Sequence, residues 1–248
     1  MHMRGRIALA AVLCLLAAGI FVGMGALPAS AGGPPDPTQP CDPEFTGTSG
    51  DDVIFGDDGD NVLCGRAGND KLFAGEGFDV LKGQDGNDQL FSGDDWAWDY
   101  LLGGRGADRL VPVDDTNTLN GGPGHDEADY SFNDCAIDAF LFDGVIYKGK
   151  CGTDSLDFGG GLSTVEDVTG TVWFDSIEGD VSANVLMGGA SDDEIHGRGG
   201  EDSLYGQLGD DALFGEGGND YLNGGDQSTV GDVCFGGAGT NTIVNCFP

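Results

Sequence analysis

An all-β solenoid, wound from short strands that stack through glycine turns, is the fold this sequence predicts. Three observations lead there. Glycine makes up 47 of the 248 residues, a density that no helical bundle tolerates. A nine-residue register carries Asp or Asn at its sixth position and Leu or Ile at nearly every eighth. The chain holds 43 Asp and Glu against 10 Lys and Arg, a formal net charge of −33. That charge excludes nucleic acid and anionic membrane surfaces as partners, because both would repel the chain, and it points to a cation as the counterpart. Disorder is the other reading of an acidic, glycine-rich chain, but 39% of the residues are hydrophobic and they recur at fixed spacing.

Residues 1–31 read as a processing segment. Arg4 and Arg6 precede an uncharged apolar run over 7–24, and "ALPASAGG" places a small-residue cleavage site at Ala29, Ser30 and Ala31. This is the layout of a secretory signal peptide and predicts a secreted, extracellular protein. Eighteen apolar residues could also just span a bilayer as an uncleaved anchor, and that alternative stays open. Loss of the segment would leave a net charge of −35. Residues 32–46, opening with "GGPPDPTQP", form a proline-rich linker and an N-terminal cap.

Setting aside Cys14 in the apolar run, six cysteines remain, an even number that in an exported chain suggests disulfides. They fall into three local pairs: Cys41 with Cys64, Cys135 with Cys151, and Cys234 with Cys246.

The first repeat array spans 47–129 and the second starts at Gly170, within a C-terminal region of 170–248 that ends in a cap. Units open at Gly47, Gly56, Gly65, Ala74, Gly83, Ser92, Gly103, Pro112 and Gly121, then at Gly170, Gly179, Gly188, Gly197, Gly206, Gly215, Gly224 and Gly236. In all 17 the sixth position is Asp or Asn, and in 15 the eighth is Leu or Ile, with Ala128 and Cys234 the exceptions. Glycines at positions one, two and four permit positive backbone angles, so the chain can turn sharply and aim carbonyl oxygens into a concave pocket. The residues around position eight then make a short strand with its middle side chain inward.

If two units make one lap, units i and i+2 stack about 4.8 Å apart on one edge. Aspartates that close repel by roughly 3 kcal/mol per pair at an effective dielectric of 20, and the penalty repeats at every layer. A cation between them removes it. Calcium takes six to eight hard oxygen ligands from carboxylates and carbonyls, which is the set such turns offer. The expected ligands are Asp52, Asp70, Asp79, Asp88, Asp108, Asp126, Asp193, Asp202, Asp211 and Asp220. Asn61, Asn117, Asn184 and Asn241 stand at the same position and predict weaker sites. Ala97, Asp115, Trp173, Ser182, Ser191 and Val230 replace the fourth-position glycine, which makes those turns doubtful donors.

Residues 130–169 lie outside the register. Their apolar stretch "AIDAFLFDGVIY" predicts two strands joined near Asp143 and Gly144, a side hairpin that patches the coil or a partner-binding excursion.

"GRAGNDKLF", "GQDGNDQLF", "GGPGHDEAD" and "GEGGNDYLN" resemble the haemolysin-type calcium-binding, or RTX, nonapeptide repeat family, whose pattern is GGxGxDxUx. "TNTIVNC" near the end resembles the closing segment of secreted actinobacterial members. The resemblance implies a right-handed parallel β-roll holding several Ca2+ ions in its turns. The ions would be bound by the sixth-position aspartates and neighbouring glycine carbonyls. No HExxH, GxSxG or Ser/His/Asp set appears, and His125 and His196 occupy outward repeat positions. The expected function is therefore non-catalytic: a secreted calcium-binding roll that folds on calcium and serves a structural or adhesive role, with an unidentified cell-surface or matrix partner. The alternative is an accessory, calcium-folding module of a secreted enzyme or toxin system.

Overall fold

The structure, a computed structural model, describes residues 36–247 apart from 94–96, 114–115, 142, 149–152, 157–163 and 226–230. The expected signal segment therefore lies outside the described residues. So does Cys151 of the expected Cys135–Cys151 bridge.

Two sheets face each other across one core. The first has ten strands, all parallel, running from Val53–Phe55 to Thr242–Val244. The second has eleven, running from Val62–Ala67 to Val233–Phe235. Successive strands of the chain alternate between the sheets, so eighteen residues make a lap and each strand pairs with the one two units on. The fold is a parallel β-roll.

The pairing is in register at the eighth position. Ile54, Leu72, Leu90 and Leu110 stand over one another in the first sheet, and Leu63, Leu81, Leu101 and Leu119 in the second. All are buried, because strand alternation sends positions seven and nine outward and eight inward. Each buried leucine contributes about 1.5–3 kcal/mol of transfer free energy, which the ladder repeats in every rung.

Both sheets run unbroken through residues 130–169, so the two arrays share one coil. In the first sheet Glu127–Asp129 pairs directly with Asp167–Thr169, which pairs with Val185–Ala190. In the second, Thr118–Asn120 pairs with Thr153–Leu156, followed by Val145–Tyr147, Asp138–Phe140 and then Ser176–Glu178. Among the described strands only Val145–Tyr147 runs antiparallel to its neighbours, making the expected hairpin with its turn at Asp143 and Gly144. The flanking stretches keep the repeat's register, with Leu156 opposite Leu119 and Val168 opposite Ala128. Leu156 and Val168 thus stand at eighth positions of the repeat register inside the block expected to lie outside it.

The ends are secured by local devices. At the N-terminus the described part of the linker does not stay free. Asp42 exchanges two hydrogen bonds with the backbone of Val62, Cys41 is bonded to Cys64, and the Lys82 ammonium donates to the Gln39 carbonyl. This strap covers Val62, Cys64 and Val80 on the second sheet's outer face, while Phe45 closes the core. At the other end Cys234 is bonded to Cys246. On the outer faces, position nine carries stacked rings: Phe55, Phe73 and Phe91 at 4.9 and 4.6 Å, and His196, Phe214 and Phe235 at 4.5 and 5.3 Å.

Candidate metal centre

The turn over 83–88 shows how the repeat builds its pocket. Gln84 and Gly86, at positions two and four, are left-handed, with φ of 85° and 141°. Gly83, at position one, is not left-handed; it is glycine for want of space. A Cβ there would overlap the Asp88 carboxylate and lie 2.5 Å from the Gly103 carbonyl oxygen of the next layer. In this turn, positive backbone angles are therefore needed at two of the three glycine positions, and a missing side chain at the third.

The sixth-position residues form two rows. In each step the carboxylate's Oδ1 accepts the backbone N–H of the sixth residue two units earlier. Asp52 donates to Asp70, Asp70 to Asp88, Asp88 to Asp108 and Asp108 to Asp126, each at 2.8 Å. In the same way Asp175 donates to Asp193, Asp193 to Asp211, Asp202 to Asp220, and Asn61 to Asp79. All ten expected aspartates occupy this position, and nine are buried. Asp52, at the end of its row, is partly exposed.

The second oxygens carry the chemistry. Oδ2 of Asp70, Asp88, Asp108, Asp126, Asp193, Asp202 and Asp220 is buried and accepts no hydrogen bond. Beside it, around the first-position glycine, stands a carbonyl oxygen of the next layer: Gly83 for Asp70, Gly103 for Asp88, Gly121 for Asp108, Gly215 for Asp202 and Gly236 for Asp220. A buried carboxylate oxygen with no donor, set beside a carbonyl oxygen that has a lone pair to spare, forms an incomplete shell, and a hard cation completes it. The residues present fit calcium. Among the described residues no group of three or more His, Cys, Asp or Glu side chains could hold a metal, so carbonyls must supply much of the coordination.

Burial of these carboxyls pushes them up strongly: Asp70, Asp88 and Asp108 to about 6, Asp126 and Asp202 to about 7, and Asp193 to about 8. The hydrogen bond to each Oδ1 opposes the shift and neighbouring aspartates add to it, as Asp175 and Asp211 do for Asp193. Without a counter-ion the charged form of each is disfavoured by its burial.

Some turns depart from expectation. Ser191, in place of a fourth-position glycine, is itself left-handed at φ 80°, and its unit keeps Asp193 in the receptive arrangement. Asp52 has its Oδ2 engaged by the N–H and hydroxyl of Thr48 at 2.6 and 2.8 Å. Glu166 was missed altogether, since it stands where aspartate is the rule. Its Oε2 accepts the Asp126 N–H at 2.9 Å and continues the row. The histidines are held by carboxylates: His196 between Glu194 and Glu216, and His125 near Glu166 and Asp167.

The family model described as RTX calcium-binding nonapeptide repeat (4 copies) matches the chain at residues 44–72, 65–95, 75–110, 95–128, 178–213 and 196–230, together more than half of its length. No curated protein matches it.

Proposed function

Since the chain belongs to the RTX calcium-binding nonapeptide repeat family and is a calcium-binding β-roll, we propose that calcium is what closes the coil, and that closure happens outside the cell. The observation that carries this reading is the row of buried Oδ2 atoms with carbonyl oxygens for neighbours and no donor. Asp70, Asp79, Asp88, Asp108, Asp126, Asp193, Asp202, Asp211 and Asp220 would hold the ions together with first-position glycine carbonyls. Bound calcium neutralises the stacked carboxylates. The chain's own part is to hold each Oδ1 by the N–H of the layer before, keep Oδ2 turned to the pocket, and bury the leucine ladder once repulsion is gone.

Extracellular modules of this affinity class bind with dissociation constants of about 0.1–1 mM, so their sites stand empty at cytosolic calcium and fill outside. A signal segment at 1–31 and a mature charge of −35 suit a chain that is exported open and closes on arrival. The role is structural or adhesive and non-catalytic, supported by described strands that all belong to the roll or its hairpin. Titration of the oxidised mature protein with calcium and with magnesium, read by far-ultraviolet circular dichroism, tests it. A cooperative gain of β signal with calcium and little with magnesium is expected. A native spectrum in excess chelator would overturn the reading.

A further inference from the structure

Four turns differ from the others at their second residue. Where the unit opens at Gly47, Gly56, Gly170 or Gly179, that residue is Thr48, Asp57, Thr171 or Asp180. Each side chain accepts the N–H of the fourth residue: Thr48 from Gly50, Asp57 from Gly59, Thr171 from Trp173 and Asp180 from Ser182, at 3.2, 3.0, 3.0 and 2.6 Å. Short oxygen-bearing side chains favour this local turn, and here it keeps all four residues out of the left-handed region.

The backbone N–H of the second residue then points inward and donates to the sixth side chain. Thr48 reaches Asp52 Oδ2 at 2.6 Å, Asp57 reaches Asn61 Oδ1 at 2.9 Å, Thr171 reaches Asp175 Oδ2 at 2.5 Å, and Asp180 reaches Asn184 Oδ1 at 3.0 Å. The two threonine hydroxyls add a second donor, to Asp52 at 2.8 Å and to Asp175 at 3.0 Å. In the seven turns whose Oδ2 accepts nothing, the second residue is left-handed: Arg66, Gln84, Gly104, Gly122, Gly189, Arg198 and Glu216, with φ between 65° and 115°. Among these eleven turns the correspondence has no exception.

We infer that the second residue of each turn decides whether that turn takes a cation. A left-handed second residue leaves the sixth carboxylate oxygen open; Thr or Asp there seals it with the turn's own N–H. Resting on the calcium reading above, this assigns Thr48, Asp57, Thr171 and Asp180 as residues that set metal occupancy, and it removes Asp52 and Asp175 as ligands within their own turns. An N–H or O–H donor presents its positive end to the place a cation would fill, so a sealed turn repels the ion as well as satisfying the carboxylate. The four sealed turns make up two whole laps, 47–64 and 170–187, and each precedes a run of open turns. The coil therefore has laps that close by their own hydrogen bonds.

The test is calcium stoichiometry by native mass spectrometry on the oxidised mature protein. Thr171→Gly and Thr48→Gly should each gain one bound ion relative to the unchanged chain, and the double variant two. Arg66→Thr, which installs the sealing residue in an open turn, should lose at least one. Circular dichroism in saturating calcium confirms that each variant is folded; Thr48→Gly, at the exposed end of its row, keeps the question answerable if Thr171→Gly is not. Unchanged stoichiometry in folded Thr48→Gly and Arg66→Thr would overturn the inference while leaving calcium binding intact. An unchanged chain that binds no calcium would instead overturn the reading on which it rests.

Discussion

The backbone N–H of Asp70 donates to Oδ1 of Asp88, eighteen residues on, at 2.8 Å. The bond fixes one carboxylate oxygen and leaves the other buried beside the carbonyl of Gly103. Asp88→Asn should separate these two duties. The amide keeps an oxygen for the Asp70 N–H and turns an Nδ2–H donor toward the Gly103 carbonyl, much as Asn184 donates to the Glu166 carbonyl at 2.7 Å. In chelator the variant should therefore be more ordered than the unchanged chain, and in calcium it should gain less. Asp88→Ala loses both functions and should cost about 1–3 kcal/mol in saturating calcium, read from urea unfolding. An Asn variant that behaves like Ala would refute the split.

Protons should replace calcium in part. Asp70, Asp88 and Asp108 sit near 6 in the folded coil, Asp126 and Asp202 near 7, and Asp193 near 8, all above the ordinary carboxylate value because they are buried. A group raised on folding favours the folded state at low pH, and that support disappears as pH rises through its folded value. In chelator the β signal should thus grow as pH falls from about 8.5 to 5, while calcium affinity weakens over the same window. Equal dichroism of the calcium-free chain at both ends of that range would count against burial of these carboxyls.

The inward ladder makes a sharp contrast between neighbours. Leu213 is fully buried between Ile195 and Cys234, whereas Ala212 beside it points outward. Leu213→Asp should cost about 4 kcal/mol or more and abolish calcium-dependent folding of the later laps. Ala212→Asp should stay within about 0.5 kcal/mol. Comparable thermal melts for the two would mean that the register is wrong by one.

The strap at the N-terminus depends on Cys41–Cys64, which closes a loop of 23 residues. Replacing both cysteines by serine should cost about 3 kcal/mol and free Cys41's neighbours from the second sheet. Limited proteolysis should then cut between Asp36 and Asp42 in calcium, where the unchanged chain resists. Continued resistance would assign the hold to the Asp42 and Lys82 hydrogen bonds instead.

Much of this was legible because the repeat is covalent arithmetic: nine residues per half-lap put Asp70 under Asp88 and Leu72 under Leu90 whatever the details. The register fails to announce itself where a residue is replaced by one of similar reach. Glu166 holds its place in the row through a longer side chain, and Val168 fills an eighth position, so "GLSTVEDVT" lacked both of its markers. The sequence presents the glycines as one class, whereas in turns such as 83–88 position one serves for space and positions two and four for backbone angle, a distinction that only the packing of adjacent layers imposes. The sealing role of Thr48 and Thr171 was visible as residue type but not as meaning, because it depends on which way an N–H points.

Between Thr118–Asn120 and Ser176–Glu178 the second sheet passes through three strands, Thr153–Leu156, Val145–Tyr147 and Asp138–Phe140. Over the same lap the first sheet adds one strand beyond Glu127–Asp129, the Asp167–Thr169 strand, before reaching Val185–Ala190. A regular lap would give the second sheet a single strand there, so that face is longer by two strand spacings, about 10 Å. The extra length falls on one face alone, because the first sheet keeps Ala128 opposite Val168 and Val168 opposite Leu186 across the same lap. A surface running along the second sheet therefore has two strands more over that lap than the one running along the first.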